Sequence, residues 1–458
     1  MKSNPIRSSQ RHSLIQRMVA SAALASGIVF AMTERAYSAG VASTMDGDNI
    51  VNVLVALAVI MVGAKLGGAL AQLVKQPTVI GELLFGVVIG NLTLVGFGWF
   101  EGFSHLHTIH ILAEIGVIIL LFQVGLESDL GQMMRVGASS LLVALLGIIG
   151  PFLLGWAVGV WFYPDESIYV HIFLATVLTA TSVGITARVL KDIHKIDTDE
   201  ARIILGAAVI DDILGLLILA IVSGVIQAAD SGTAMSSSAI LWLIAKAVLF
   251  LLGAVVVGRL VYKRVFQIAS FLNVHGMLLI TALAGCFAMA FVAAQVGLAP
   301  IVGAFAAGLV MEEVYYSGRG DFSKHTIEEL LEPLALFLVP IFFVKMGMDV
   351  DLYTFGNVSV LAFALVLTLA AIVGKQISSF GVVRTGKQGV NRWIVGLGMI
   401  PRGEVGLIFA GIGMALSFQG EKVISPEVYT AIVIMVILTT LITPPVLTWA
   451  FRGRQPVS

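Results

Sequence analysis

Asp211 and Asp212 stand side by side inside residues 203–227, a stretch that carries no other charge. A charged side chain at the centre of a bilayer costs about 2.5–3.5 kcal/mol on insertion scales, and adjacent carboxylates also repel each other. A ligand that offsets this cost must be positive, so the pair points to binding of cations or protons. Successive residues on an α-helix point about 100° apart. Asp211 and Asp212 therefore cannot both face one ligand squarely. One is expected to face a cavity while the other meets a neighbouring helix. The chemistry implied is exchange of a small cation for protons.

Other polar groups sit in similarly apolar surroundings. Thr179-Ala180-Thr181-Ser182-Val183-Gly184 concentrates three hydroxyls and a glycine, a poor composition for a helix. Hydroxyls can satisfy backbone groups freed where a membrane helix breaks. Ile400-Pro401-Arg402-Gly403-Glu404-Val405-Gly406 places a proline, two glycines and two charges together, which favours a second break. Broken helices expose carbonyls and helix ends to an ion. Lys375 lies eight residues before Val383, the expected inner end of its span, roughly 12 Å at helical rise. It can serve as counter-ion to one aspartate or snorkel to the headgroups. Lys345 is a rival, four residues from Asp349, where a local pair or snorkelling is favoured. Glu82 starts a helix, where capping is the favoured role and lining a cytoplasmic funnel the functional one. Glu114 stands near another helix end. His105, His107 and His110 form an HxHxxH cluster that reads as interfacial decoration. Cys286 lies in an apolar run and reads as a small core residue; a single cysteine forms no intramolecular disulfide.

The elements that must position these groups follow from composition. Of 458 residues, 58% are hydrophobic and 12% charged, against about 25% charged in a soluble domain. Mean hydropathy is +0.99. The fold class is an all-α integral membrane protein. The net charge of −1 offers nothing to nucleic acid. Residues 1–39 read as a signal peptide, with an extra anchor helix as the alternative: Lys2, Arg7, Arg11 and Arg17 precede a short apolar run, and Ala36-Tyr37-Ser38-Ala39 offers a cleavage site. Hydropathy then gives thirteen spans, near 49–73, 79–98, 109–127, 136–162, 168–190, 201–227, 240–262, 275–296, 299–314, 332–350, 358–383, 392–418 and 427–451. With the mature N-terminus outside, the cytoplasmic side holds Lys75, Arg135, Arg188, Lys191, Lys195, Arg202, Lys263, Arg264, Arg319, Lys324, Arg384, Lys387, Arg392, Arg452 and Arg454. The outer loops of the mature chain hold only Lys422. That asymmetry obeys the positive-inside rule, and the C-terminus lies inside.

The count permits a six-one-six arrangement: repeat 1 over about 49–227, a linker helix over about 240–262, and repeat 2 over about 275–451, within a transmembrane domain of 40–458. A common shift of 222 relates Gly81 and Gly86 to Gly303 and Gly308, and Val183-Gly184 to Val405-Gly406. A shared shift is a signal of inverted repeats.

Four stretches together resemble the monovalent cation:proton antiporters, in the branch containing Kef-type and NapA-type transporters. They are Gln76-Pro77-Thr78-Val79-Ile80-Gly81-Glu82, Thr179–Gly184, Ile210-Asp211-Asp212, and Pro401-Arg402-Gly403-Glu404-Val405-Gly406-Leu407. The resemblance spans the whole membrane domain. It implies a dimerisation domain, a mobile core domain, and two unwound helices that cross, the fifth and the twelfth. It implies Asp212 as the ion-binding aspartate, Asp211 as its neighbour paired with Lys375, and Arg402 and Glu404 as a buried pair near the crossing. Thr181 and Ser182 would add oxygens to the ion. It also implies a homodimer through the first helix. The double aspartate with a buried lysine looks like the electrogenic, NapA-type sodium/proton exchangers. No nucleotide-binding regulatory domain is expected after the last span. The expected function is secondary active exchange of cytoplasmic Na⁺ or Li⁺ for external H⁺, competing at Asp212, in a bacterial inner membrane. No enzyme activity, cofactor or metal beyond the transported cation is called for. Potassium/proton exchange is the alternative. An intramembrane aspartyl protease is disfavoured, because its two carboxylates must converge on one water.

Overall fold

Helix signals in the chain are local and physical. Thr198 caps a helix by accepting from the Ala201 N–H, and Asp199 and Glu200 place negative charge in its first turn. Thr326 and Glu329 form a reciprocal capping box. In this computed structural model the described residues are 49–74, 76–95, 100–104, 106–127, 137–196, 198–231, 237–272, 274, 276–311, 326–383 and 390–451. The segment read as a signal peptide lies outside them. So do His105 and the cations Lys75, Arg135, Arg319, Lys324, Arg384, Lys387, Arg452 and Arg454.

The helices are α1 (Ile50–Leu73), α2 (Thr78–Gly90), α3 (His107–Glu127), α4 (Ala138–Phe162), α5 (Ile168–Thr179), α6 (Val183–Asp192), α7 (Asp199–Asp230) and α8 (Ser237–Leu272). They continue as α9 (Met277–Val296), α10 (Pro300–Val310), α11 (Ile327–Met348), α12 (Val358–Ile377), α13 (Arg392–Gly398), α14 (Glu404–Ala415) and α15 (Pro426–Phe451). Each expected span finds a helix; α5 and α6 are halves of the fifth, α13 and α14 halves of the twelfth. Among the described residues, α1, α3, α4, α7, α9, α11, α12 and α15 are individually long and apolar enough to cross a membrane.

Boundaries differ from expectation where a local contact intervenes. The second span stops being α-helical at Gly90, because Asn91 turns its amide onto the Val87 and Val350 carbonyls. The tenth begins at Ile327 rather than 332, at its capping box. The twelfth ends at Ala415 rather than 418. There β1 (Ser417–Phe418) and β2 (Glu421–Lys422) form a hairpin with Gln419 and Gly420 at positive φ, the single exception to an otherwise helical fold among the described residues.

Two bundles result. In one, α2 packs between α1 and α11, and α10 between α9 and α3. In the other, α4 packs against α5, α7 and α12, and α12 against α15. Helix α8 touches α7, α9 and α10 and so joins them.

The shift of 222 is visible in the packing. A methyl group at Gly81 would sit 2.0 Å from the Gly67 carbonyl oxygen; one at Gly303 would sit 2.2 Å from the oxygen of Met289, which is 222 residues beyond Gly67. Gly86 meets the Val344 oxygen at 2.1 Å, and Gly308 meets the matching Phe122 oxygen at 2.2 Å. Gly347 and Gly125 repeat the relation against Leu83 and Phe305, at 2.1 and 2.3 Å. Matched residues make matched contacts, as internal inverted repeats require. Only glycine admits such approach of two backbones. Cys286 is buried in the apolar cluster shared by α8 to α11.

Candidate functional site

The site forms where two helices fail. α5 ends at Thr179, and Ala180 is already extended at φ −56°, ψ 141°. α13 ends at Gly398, and Pro401 lacks the N–H that would carry a helix onward. The two non-helical strands cross. The Ser182 N–H donates to the Pro401 carbonyl at 2.9 Å. The Arg402 guanidinium donates to the Ala180 carbonyl and, at 3.5 Å, to that of Thr179. The Thr186 hydroxyl donates to the Gly398 carbonyl at 2.7 Å. From α15, the Thr440 hydroxyl donates to the Arg402 carbonyl. Gly403 is required by closeness, since a methyl group there would lie 2.6 Å from Ser182 Oγ. Backbone groups freed by the breaks are thus satisfied inside the protein, as a membrane interior demands.

α7 passes beside the crossing and presents its two aspartates in different directions. Asp211 faces α12: Lys375 Nζ lies 3.0 Å from both of its carboxylate oxygens. Both side chains are 0% exposed. Asp212 turns away, within electrostatic range of Glu404 and Lys375. Its Oδ1 is buried and has no hydrogen-bond partner among the described residues, and the same holds for Thr181 Oγ1. The Ser182 hydroxyl donates to Glu404 Oε2 at 3.3 Å. A carboxylate oxygen on α7 and a hydroxyl oxygen on the crossing strand are thus both buried and unpartnered among the described residues, oxygen donors of the kind suited to a hard monovalent cation or a proton. The chemistry these oxygens offer is reversible binding.

Most residues singled out in the sequence converge here; some pair differently than expected. Arg402 and Glu404 are both at the crossing, yet no ion pair joins them among the described residues. Each reaches across to the other strand instead, at Ala180 and Ser182, the residues 222 positions earlier. Lys375 is the partner of Asp211. Lys345 makes its local pair with Asp349, at 2.5 and 2.7 Å. Glu82 makes no cap at the start of α2. It lines a cavity of about 450 Å³ with Lys65, Gln72, Gln123 and Glu332, between α1, α2, α3 and α11. His110 pairs with Glu114 at 3.3 Å on an exposed face of α3. No metal-ligating cluster occurs among the described residues. The sequence reading missed Lys65, although a lone lysine inside an apolar helix was a visible signal. It also missed Thr439 and Thr440, whose hydroxyls look ordinary until α15 is placed on the crossing.

The geometry finds relatives. The family model described as "Sodium/hydrogen exchanger, transmembrane" matches residues 58–453. The chain is 36% identical over 439 residues to the high-affinity Na⁺/H⁺ antiporter NhaS3 of Synechocystis sp., covering 89% of this chain and 91% of that protein. It is 38% identical over 401 residues to the Na⁺/H⁺-K⁺ antiporter GerN of Bacillus cereus, covering 87% and 96%. The sodium proton antiporter MjNhaP1 of Methanocaldococcus jannaschii, in its structure at pH 8, superimposes with a TM-score of 0.65 at 16% identity, over 88% of this chain and 98% of that one. At that identity the likeness is one of fold.

Proposed function

The chain belongs to the sodium/hydrogen exchanger family, a family of transporters, and from that premise we propose that it exchanges cytoplasmic Na⁺, or Li⁺, for external H⁺. The observation that carries this reading is a buried, unpartnered Asp212 Oδ1 on α7, which packs against α5, α6 and α13 of the crossing, together with the unpartnered Thr181 hydroxyl on the crossing strand, both among the described residues. Deprotonated, Asp212 offers a negative oxygen to a dehydrated cation, with Thr181 and Ser182 supplying neutral oxygens. Protonated, it is neutral and no longer attracts the cation. Proton and cation thus compete for one place, and that competition is exchange. A bare charged site meets the full desolvation cost inside the membrane, so the loaded states are the ones that move. The α4–α7 and α12–α15 bundle would carry the site between the two sides, against the glycine-packed bundle.

Asp211 and Lys375 stand beside the binding oxygen as a counter-charged pair. If the pair gives up or takes up a proton in the cycle, exchange moves net charge, so we expect it to be electrogenic. In this reading residues 1–39 are a signal peptide, residues 49–227 and 275–451 are the two repeats, and residues 240–262 link them. The N-terminus lies outside, the C-terminus in the cytoplasm, and the protein is a homodimer through α1 in a bacterial inner membrane. Glu82 lines the cytoplasmic approach, and pH homeostasis is the physiological role.

A second reading has one observation in its favour: GerN, 38% identical, is described as a Na⁺/H⁺-K⁺ antiporter. Liposomes containing the purified protein, with a sodium gradient imposed and internal pH and voltage followed together, test both. Sodium-driven proton movement with a voltage is expected. Proton movement without voltage refutes electrogenicity, and a response to potassium alone moves the substrate to K⁺. Asp212→Asn should abolish exchange in a folded protein; wild-type-like exchange in that variant would sink the site assignment.

A further inference from the structure

The two strands of the crossing are anchored differently. Residues 399–403 are tied to α15 at both ends of one residue. The Arg402 N–H meets Thr439 Oγ1 at 3.4 Å, and the Arg402 carbonyl accepts from the Thr440 hydroxyl. Thr439 spends its own hydroxyl proton on the Met435 carbonyl at 2.8 Å, which leaves a lone pair for the Arg402 N–H. The Thr443 hydroxyl in turn donates to the Thr439 carbonyl at 2.7 Å. All three threonines are buried.

Among the described residues, the other strand has no such tie from its own half. The positions 222 residues before Thr439 and Thr440 are Leu217 and Ile218 on α7, whose side chains cannot hydrogen-bond. Ala180 and Ser182 are held through the opposite strand, by the Arg402 guanidinium and the Pro401 carbonyl. Thr181 stands between them with its hydroxyl unpartnered among the described residues. Where Thr181 and Ser182 lie relative to Asp212 is therefore set by where Arg402 lies.

We infer that Thr439 and Thr440 are positioning residues for the cation site: they clamp the Arg402 peptide, and through Arg402 they place Thr181 and Ser182 beside Asp212. This rests on the proposed function and adds residues that never touch the ion. A clamp of this kind acts on how well the cation is held, more than on whether the protein folds. Valine matches threonine in shape but leaves the Arg402 peptide unpaired.

The test is Na⁺-driven exchange in liposomes against Na⁺ concentration, with melting temperature measured in detergent on the same preparations. Thr439→Val and Thr440→Val should each raise the half-saturating Na⁺ concentration about tenfold, or about 1.4 kcal/mol, with the maximal rate held within about twofold. Thr439→Ser and Thr440→Ser keep the hydroxyl and should restore the wild-type value. Thr440→Cys, a weaker donor, should shift half-saturation in the same direction by less. An unshifted value in the folded Val variants overturns the inference, as does an unshifted Cys variant where the Val variants do not fold. A maximal rate that falls with melting temperature, equally in the Ser variants, also overturns it by showing a packing role. If the unsubstituted protein shows no sodium-driven exchange, the transport reading fails and this inference with it. Unshifted variants of an active protein refute this inference alone.

Discussion

Removing Lys375 leaves the Asp211 carboxylate buried and without its counter-charge. Its Nζ lies 3.0 Å from both oxygens of Asp211, and both side chains are 0% exposed. Deleting one partner of a buried pair costs about 3–5 kcal/mol, because the remaining charge stays buried and unpaired. Lys375→Met keeps most of the volume and removes the charge, so its cost should fall in that range. Asp211→Asn should cost a similar amount by stranding the ammonium. The double variant carries neither charge, and its loss should be smaller than the sum of the singles by about 2 kcal/mol or more, well beyond the scatter of about 0.3–0.5 kcal/mol expected of independent sites. Equilibrium unfolding in mixed micelles with increasing SDS, followed by circular dichroism on all four proteins, measures the cycle. Additive losses would refute a direct pair. A Lys375→Met loss under about 1 kcal/mol would refute its burial, since that is what an exposed pair is worth.

Lys345→Ala should cost about 1–3 kcal/mol, between the worth of an exposed pair and the loss on breaking a fully buried one, since its side chain is 12% exposed and that of Asp349 18%; the transport voltage should be unchanged, and a lost voltage would make Lys345 the functional lysine after all. Gly86→Ala and Gly308→Ala should both lower stability by at least the roughly 1–3 kcal/mol typical of overpacking, because each methyl group would meet a carbonyl oxygen 2.1–2.2 Å away; wild-type melting in either would contradict the close approach of those helices. Glu82→Gln should raise the half-saturating Na⁺ concentration about threefold at low ionic strength with an unchanged maximal rate, and the difference should fade as choline chloride is added. An effect indifferent to salt would point to a packing role instead.

Much of this was legible from residues alone, for reasons that can be named. Hydropathy marks the spans because their apolar stretches stand out from the loops between them, and Pro401 and the hydroxyls of Thr179–Ser182 mark the breaks. The adjacent aspartates announce divergent roles through helix geometry alone. Pairing across helices was not legible. Lys345 and Lys375 are both lysines in apolar spans, and only the packing of α12 on α4 and of α4 on α7 brings one of them to Asp211. The resemblance implied Arg402 and Glu404 as a buried pair, but Arg402 donates across the crossing to Ala180 and Glu404 accepts from Ser182. The capping box at Thr326–Glu329 was visible in the sequence and would have corrected the start of α11. The end of α2 was not visible, because Asn91 finds one partner 259 residues away.

The repeat relation carries a consequence for the energetics of the cycle. In an inverted repeat the operation that maps one half onto the other also exchanges the two faces of the membrane. Were the halves chemically identical, the forms open to either face would be degenerate in free energy, and the molecule would have no resting side. Here the degeneracy is lifted at the centre. Asp211 maps onto Val433 and Lys375 onto Leu153, while Arg402 and Glu404 map onto Ala180 and Ser182. The paired aspartates come from one half, and Lys375, Arg402 and Glu404 from the other, so the scaffold is nearly reversible while its charge distribution has a handedness. A preference for waiting on one side would originate where the halves differ, in these charged residues and in the Thr439 and Thr440 ties that have no counterpart at Leu217 and Ile218, since the matched glycine contacts are the same in both directions.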